Sequence, residues 1–208
     1  MSDLKVKIYA DGADLEAMSK MDSENFVSGF TTNPTLMARN GIKDYLSFAK
    51  QVLNEISDKS ISFEVFSDDL DDMYRQALIL RDLGDNVWVK IPVTNTQSVY
   101  TYDLIHKLSN EDVKINATAL FTKDHIDNVY NALNKDVESI ISIFAGRIAN
   151  AGIDPEITMK YASDLTNDHS KVETLWASAR EVFNIMQAER CNTAVSYTHL
   201  TLPTKRIV

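Results

Sequence analysis

The 208-residue chain has a single cysteine, Cys191, so no disulfide can form within it. No apolar run approaches the roughly 20 residues that a membrane-spanning helix needs. The opening stretch, Met1-Ser2-Asp3-Leu4-Lys5-Val6-Lys7, lacks the apolar centre of a secretory signal. Together these absences point to the cytoplasm, where the sequon Asn116-Ala117-Thr118 carries no meaning as a glycosylation site. Positive charge is scarce: 21 Lys and Arg against 30 Asp and Glu give a formal net charge of -9. Binding to nucleic acid or to an anionic membrane surface needs a broad field of Lys and Arg, so neither partner is expected. An anionic small molecule needs only a local basic pocket. No glycine-rich phosphate loop follows the first β-rich run, where Asp11-Gly12-Ala13-Asp14 has one glycine, and a nucleotide cofactor is therefore not expected. His106, His125 and His169 show no ligand-like spacing, and the Ser67-Asp68-Asp69-Leu70-Asp71-Asp72 run reads as a capped helix start rather than a metal site.

What the chain does contain is an ordinary globular balance, 44% hydrophobic and 25% charged, with length for one substantial core. Short β-rich runs at 6–10, 26–30, 61–66, 87–93, 113–120, 139–145 and 172–177 alternate with longer amphipathic stretches. In one of these, Tyr45, Phe48, Ala49, Val52, Leu53 and Ile56 recur at spacings of three and four, the signature of one buried helix face. Alternating strands and helices imply parallel strands joined by right-handed crossovers, in a doubly wound sheet or a closed barrel. Periodicity alone does not separate the two. Polar residues cluster just after the strands, and on a barrel these strand ends converge on one rim, where such enzymes build their sites.

Lys90 stands within an apolar strand, Val87-Trp88-Val89-Lys90-Ile91-Pro92. Burying an ammonium costs several kcal/mol unless it is paired or loses its proton, so Lys90 is either an ion-paired structural lysine or an amine whose pKa burial lowers. A neutral amine is what attacks a sugar ketone. Such chemistry also needs a base for the hydroxyl proton and a donor for dehydrating the carbinolamine, for which Asp11, Glu64 and Thr118 are candidates. Read locally, Asp11 is equally a helix cap, Glu64 an exposed or ion-paired strand residue, and Asn33-Pro34 a turn into a helix. Gly146-Arg147 and Ser178-Ala179-Arg180, each after a strand and the latter expected to open a helix, offer donors for a phosphate or surface ion pairs.

These segments, taken in order, resemble the transaldolase family, and especially its shorter members. The carriers are Tyr9-Ala10-Asp11, Gly29-Phe30-Thr31-Thr32-Asn33-Pro34-Thr35, Ser62-Phe63-Glu64-Val65, Val89-Lys90-Ile91-Pro92-Val93-Thr94, Asn116-Ala117-Thr118-Ala119-Leu120-Phe121, Gly146-Arg147-Ile148 and Trp176-Ala177-Ser178-Ala179-Arg180. The resemblance implies a (β/α)8 TIM barrel of the α/β class, with no metal or organic cofactor, acting on sugar phosphates and assembled as a homo-oligomer. It makes Lys90 the imine-forming amine, Asp11 the base for the substrate hydroxyl, and Glu64 with Thr118 and a water the proton-transfer set. Asn33, Asn116 and Ser142 would hold substrate hydroxyls, and Arg147, Ser178 and Arg180 the phosphate. The implied reaction moves a dihydroxyacetone unit between sugar phosphates in the pentose phosphate pathway. A sister group cleaves fructose 6-phosphate outright and tends to carry Gln in place of Glu64 and Tyr in place of Phe144, so this chain looks like the transferase. Fructose-6-phosphate aldolase activity and a non-catalytic sugar-phosphate-binding barrel are the alternatives. The family usually has proline where this chain has Ile143, which puts the setting of Ser142 in question.

The end departs from the family. Residues 195–204, Val-Ser-Tyr-Thr-His-Leu-Thr-Leu-Pro-Thr, are the translation of GTC TCT TAT ACA CAT CTG ACG CTG CCG ACG, which resembles a transposon-end adapter used in sequencing libraries. We therefore read 1–194 as the barrel and 195–208 as a non-native tail, leaving the barrel without its authentic eighth strand and final helix, and His199 without a role. The β-branched and aromatic composition of the tail would still let it stand in the eighth-strand position.

Overall fold

The computed structural model describes residues 4–198. Eight parallel strands close into a barrel in sequence order. They are β1 (Lys7–Asp11), β2 (Val27–Thr31), β3 (Ser60–Glu64), β4 (Val87–Pro92), β5 (Ile115–Leu120), β6 (Ser139–Ile143), β7 (Val172–Trp176) and β8 (Val195–Thr198). Around them run α1 (Leu15–Asp22), α2 (Pro34–Arg39), α3 (Tyr45–Glu55), α4 (Leu70–Arg81), α5 (Tyr102–Ser109), α6 (Lys123–Ala132), α7 (Ala145–Asn150), α8 (Pro155–Thr166) and α9 (Phe183–Arg190). Of the two arrangements left open by periodicity, the closed barrel is the one found, and all seven expected strands appear with ends moved by no more than two residues.

The helices start where short polar side chains satisfy their first N–H groups. Asp14 accepts from the Ala17 amide, Asn33 from Leu36, Asp44 from Ser47 and Asp69 from Asp72, and Pro34 occupies the first turn of α2. The acidic run is thus the helix start it was expected to be. On α3 the buried face is Phe48, Ala49 and Val52, packed on the sheet. Each large apolar side chain so buried contributes about 1.5–3 kcal/mol.

Strand register aligns the inward side chains. Glu64 pairs with Lys90, Lys90 with Asn116, Pro92 with Thr118, and Asp11 with Thr31. In β5 the register slips between Ala117 and Leu120, with Ala119 at φ +63°, so a bulge follows Thr118. Mid-barrel, Ser142 Oγ donates to Asn116 Oδ1 (2.8 Å) and Asn116 Nδ2 donates to Ser62 Oγ (2.9 Å). Below them the Tyr9 ring lies across Gly29 to meet Ser60 Oγ at 2.7 Å. Only glycine leaves room for this: a Cβ at Gly29 would sit 2.5 Å from Ser60 Oγ and 2.7 Å from Tyr9 Cζ.

The eighth position is filled by Val195–Thr198, paired with Lys7–Ala10 of β1 and with Leu175 and Trp176 of β7. The stretch set apart as a tail therefore supplies the closing strand, and the described sheet has no free edge. The rest of that tail, including His199, lies outside the described residues, as does the place where the family's final helix would follow.

Candidate active site

Lys90 is 6% exposed on β4, with Nζ 3.1 Å from Glu64 Oε2 on the neighbouring strand and 3.5 Å from the Thr32 carbonyl oxygen. Burial pulls the amine down. The negative charges of Glu64, of Tyr197 when ionised and of Asp11, with the hydrogen bond to Glu64, more than offset it, and the group is held above its ordinary value. This corrects the expectation that burial would lower it: the partner that reverses the sign comes from an adjacent strand in register. Glu64 is in turn steadied by Tyr45, whose hydroxyl donates to the Glu64 carbonyl oxygen at 2.8 Å and whose ring meets Phe63 and Phe66 edge-on.

Asp11 is not the cap of α1, a role taken by Asp14. It accepts instead from Thr31 Oγ1 at 2.7 Å across the β1–β2 pair. Tyr197 projects from β8 into the same space, buried, beside the Thr31 hydroxyl and facing Lys90, Asp11 and Glu64. Thr118 Oγ1 and Thr32 Oγ1 are buried with no partner among the described residues. Of the expected hydroxyl holders, Asn116 and Ser142 are bonded to each other in the layer beneath Lys90, and Asn33 caps α2 through Oδ1.

The expected phosphate donors gather at one place on the rim. Gly146 packs so tightly on the loop after β7 that a Cβ would fall 1.8 Å from the Ser178 carbonyl oxygen, and Ser178 itself takes φ +61°. With the Asn150 amide turned so that its nitrogen donates to the Gly146 carbonyl (3.2 Å), its oxygen accepts from Arg180 Nη2 (3.3 Å). Arg147 and Arg180 are both exposed, and the Arg147 guanidinium stands 4.9 Å from the centre of the Phe144 ring. Residues 178–180 were expected to open a helix but form a loop, with α9 beginning at Phe183; Asn184 Oδ1 accepts from the Arg180 amide at 2.6 Å. At the N-terminal end of the strands, a cavity of about 320 Å³ is lined by Lys7, Tyr9, Ser60, Trp88, Glu138 and Glu173, away from Lys90. Among the described residues no three His, Cys, Asp or Glu side chains gather as a metal ion would need, and no helix is long and apolar enough to cross a membrane.

Tyr197, Thr31 and Tyr45 were given no site role in the sequence. The alternation of Val195, Ser196 and Tyr197 would have marked Tyr197 as inward-facing had the segment been read as a strand.

A closed parallel barrel with a buried lysine–carboxylate pair on its C-terminal rim places the protein among the (β/α)8 barrels. Solved structures agree on the fold alone: a sialic acid aldolase from Ruminococcus gnavus superposes with a TM-score of 0.59 at 12% identity, covering 93% of this chain and 68% of that chain. KGPDC from Streptococcus mutans does so at 0.62 and 10%, covering 94% and 88%. The chain belongs to the Transaldolase/Fructose-6-phosphate aldolase family, whose model matches residues 8–206. Similar relatives, each described as "Probable transaldolase", come from Thermoplasma volcanium (32% identity over 188 residues, 88% of this chain and 79% of the relative) and Dehalococcoides mccartyi (30% over 192, 92% and 85%). Another is from Nitrosopumilus maritimus (30% over 200 residues, 95% and 84%). The protein is thus an enzyme of the aldolase and transaldolase kind.

Proposed function

We propose that the protein is a transaldolase, transferring a dihydroxyacetone unit between sugar phosphates through an imine on Lys90. The observation that carries this reading is the buried Lys90–Glu64 pair at 3.1 Å, with Asp11 facing the same amine. An ammonium cannot attack a ketone. When a substrate carbonyl enters, Lys90 passes a proton to Glu64 and the freed amine adds to the carbonyl carbon. Glu64 then returns the proton to the carbinolamine hydroxyl, relayed by a water held at Thr118, so that water leaves and the protonated imine forms. Asp11 takes the proton from the adjacent hydroxyl as the carbon–carbon bond breaks, and the electron pair moves into the enamine. The aldose phosphate departs, and an acceptor aldehyde reverses these steps.

In this reading Arg147, Arg180 and Ser178 hold the phosphate, and Asn33, Asn116 and Ser142 hold sugar hydroxyls. Phe144 favours transfer over outright cleavage, because a ring without a hydroxyl cannot position a water to quench the enamine. A place in the pentose phosphate pathway and in the cytoplasm goes with the same reading. So does self-association, for which the exposed apolar Ile153, Ile157, Phe183 and Met186 on and beside α8 and α9 are the support. The test is borohydride reduction in the presence of fructose 6-phosphate, followed by peptide mass spectrometry. An adduct on Lys90, with turnover that requires an acceptor aldose phosphate, is expected. Turnover without an acceptor would make the protein an aldolase, and the absence of any adduct would sink the imine.

A further inference from the structure

α9 starts without a capping side chain, since Val182 stands at its N-cap with no side-chain oxygen to offer. The loop before it is held instead from inside the helix. Asn184, in the first turn and 8% exposed, reaches back so that its Oδ1 accepts from the Arg180 amide at 2.6 Å and from the Glu181 amide at 3.2 Å. Its Nδ2 donates to Gln187 Oε1 at 2.7 Å, and Gln187 Nε2 donates in turn to Glu156 Oε1 on α8 at 3.0 Å. Arg190 Nη2 donates to that same oxygen at 2.5 Å. The loop that carries Ser178 and Arg180 is thus fastened to α9 and, through it, to α8. A second hold on Arg180 comes from α7, where the Asn150 side-chain oxygen accepts from Arg180 Nη2 at 3.3 Å while its nitrogen donates to the Gly146 carbonyl oxygen at 3.2 Å.

We propose that Asn184 and Asn150 are positioning residues for the substrate phosphate, acting through Arg180, and that together they set how strongly a phosphorylated sugar is preferred over its unphosphorylated counterpart. Asn184 fixes the Arg180 main chain, and Asn150 fixes one end of its guanidinium. An arginine that swings freely loses rotamer freedom on gripping an anion, and one held beforehand loses less. The guanidinium has several N–H donors, so lending one to Asn150 leaves the others for a ligand. Because the Asn150 amide is neutral, it aims the group without cancelling its charge, as a carboxylate in its place would. Neither asparagine bonds to Lys90, Glu64 or Asp11, so both bear on how the sugar phosphate is held and not on how the imine forms. The inference rests on the reading of Arg180 as a phosphate holder.

The experiment measures kcat/KM with fructose 6-phosphate and with fructose as donors and takes the ratio of the two. A merely destabilised barrel loses both activities alike and leaves the ratio where it was. Asn184→Leu is expected to lower the ratio about tenfold, and Asn150→Ala about threefold, chiefly through KM for the phosphorylated donor. In an Arg180→Leu background neither substitution should lower it further, because both act through that side chain. An unchanged ratio in either single variant, or a further fall on adding Asn184→Leu to Arg180→Leu, would overturn the proposal. If Asn184→Leu does not fold, Asn150→Ala, at an exposed position, decides in its place by the same criterion. Should Arg180→Leu itself leave the ratio unmoved, the reading of Arg180 as a phosphate holder fails. A fall in Arg180→Leu with none in the asparagine variants defeats only the inference drawn here.

Discussion

Buried polar groups fare differently in the middle of the barrel and along its closing seam. In the middle, Ser142, Asn116 and Ser62 hand hydrogen bonds from strand to strand, and one level up Lys90 meets Glu64 while Thr31 meets Asp11. On the outer side of the β7–β8 seam, Trp176 Nε1, Ser196 Oγ and the nearby Thr193 Oγ1 are buried without a partner among the described residues. The ladder is thinner there too. β8 meets β7 at two register positions, Leu175 with Val195 and Trp176 with Ser196, whereas β6 and β7 pair at five. The two orphans of the rim, Thr32 and Thr118, adjoin the Lys90 site, where a ligand or water has use for them. Those of the seam face the helical layer and detract from stability, each by about 1–3 kcal/mol. The contrast teaches that strand composition is enough to close a barrel, while polar matching has to be built residue by residue.

Three tests would break or sharpen this comparison. The largest effect belongs to Lys90→Met, which should abolish the borohydride adduct. It should also lower unfolding stability by about 3 kcal/mol, because Glu64 is left as a largely buried charge without its cation. Replacing Glu64 by Leu in the same protein should recover most of that stability and none of the activity, as denaturant melts and trapping would show. Next is alkaline weakening. Lys90 and Tyr197 both hold their protons more tightly folded than unfolded, so their contributions are complete below about pH 10 and are lost as pH rises. For Tyr197 the loss runs from its ordinary value near 10 to about 12, and the melting temperature of Tyr197→Phe should fall less steeply over that window. Smallest is a pair of serines: Ser196→Ala should raise stability by about 1 kcal/mol, and Ser62→Ala should lower it by a similar amount. Equal shifts in melting temperature for the two would erase the distinction between seam and centre.

Seven strands were legible because apolar runs of strand length alternate with a helical period, and the 67–72 run and Asn33-Pro34 were legible as helix starts because capping is local. Lys90, Glu64, Asp11 and Thr118 stood out through their motifs, and the sheet register draws them together. What sequence could not supply was tertiary. The upward shift of Lys90 depends on Glu64 being its neighbour across β3 and β4, and the helical start expected at Ser178 gives way to a loop that packs on Gly146. Val195–Thr198 was set apart for its resemblance to adapter sequence, yet alternation alone makes it a usable strand, and that is the property the fold exploits.

The Tyr9 ring, lying over Gly29 and tied to Ser60, gives the barrel a floor. A vessel with a floor has a single mouth. On the proposed reading, whatever is split from a bound sugar leaves by the opening through which the next aldehyde arrives, so departing product and incoming acceptor compete for one passage. On that reading, access through the passage, as well as the reactivity of the amine at its base, would set how long a cleaved fragment waits before it is passed on.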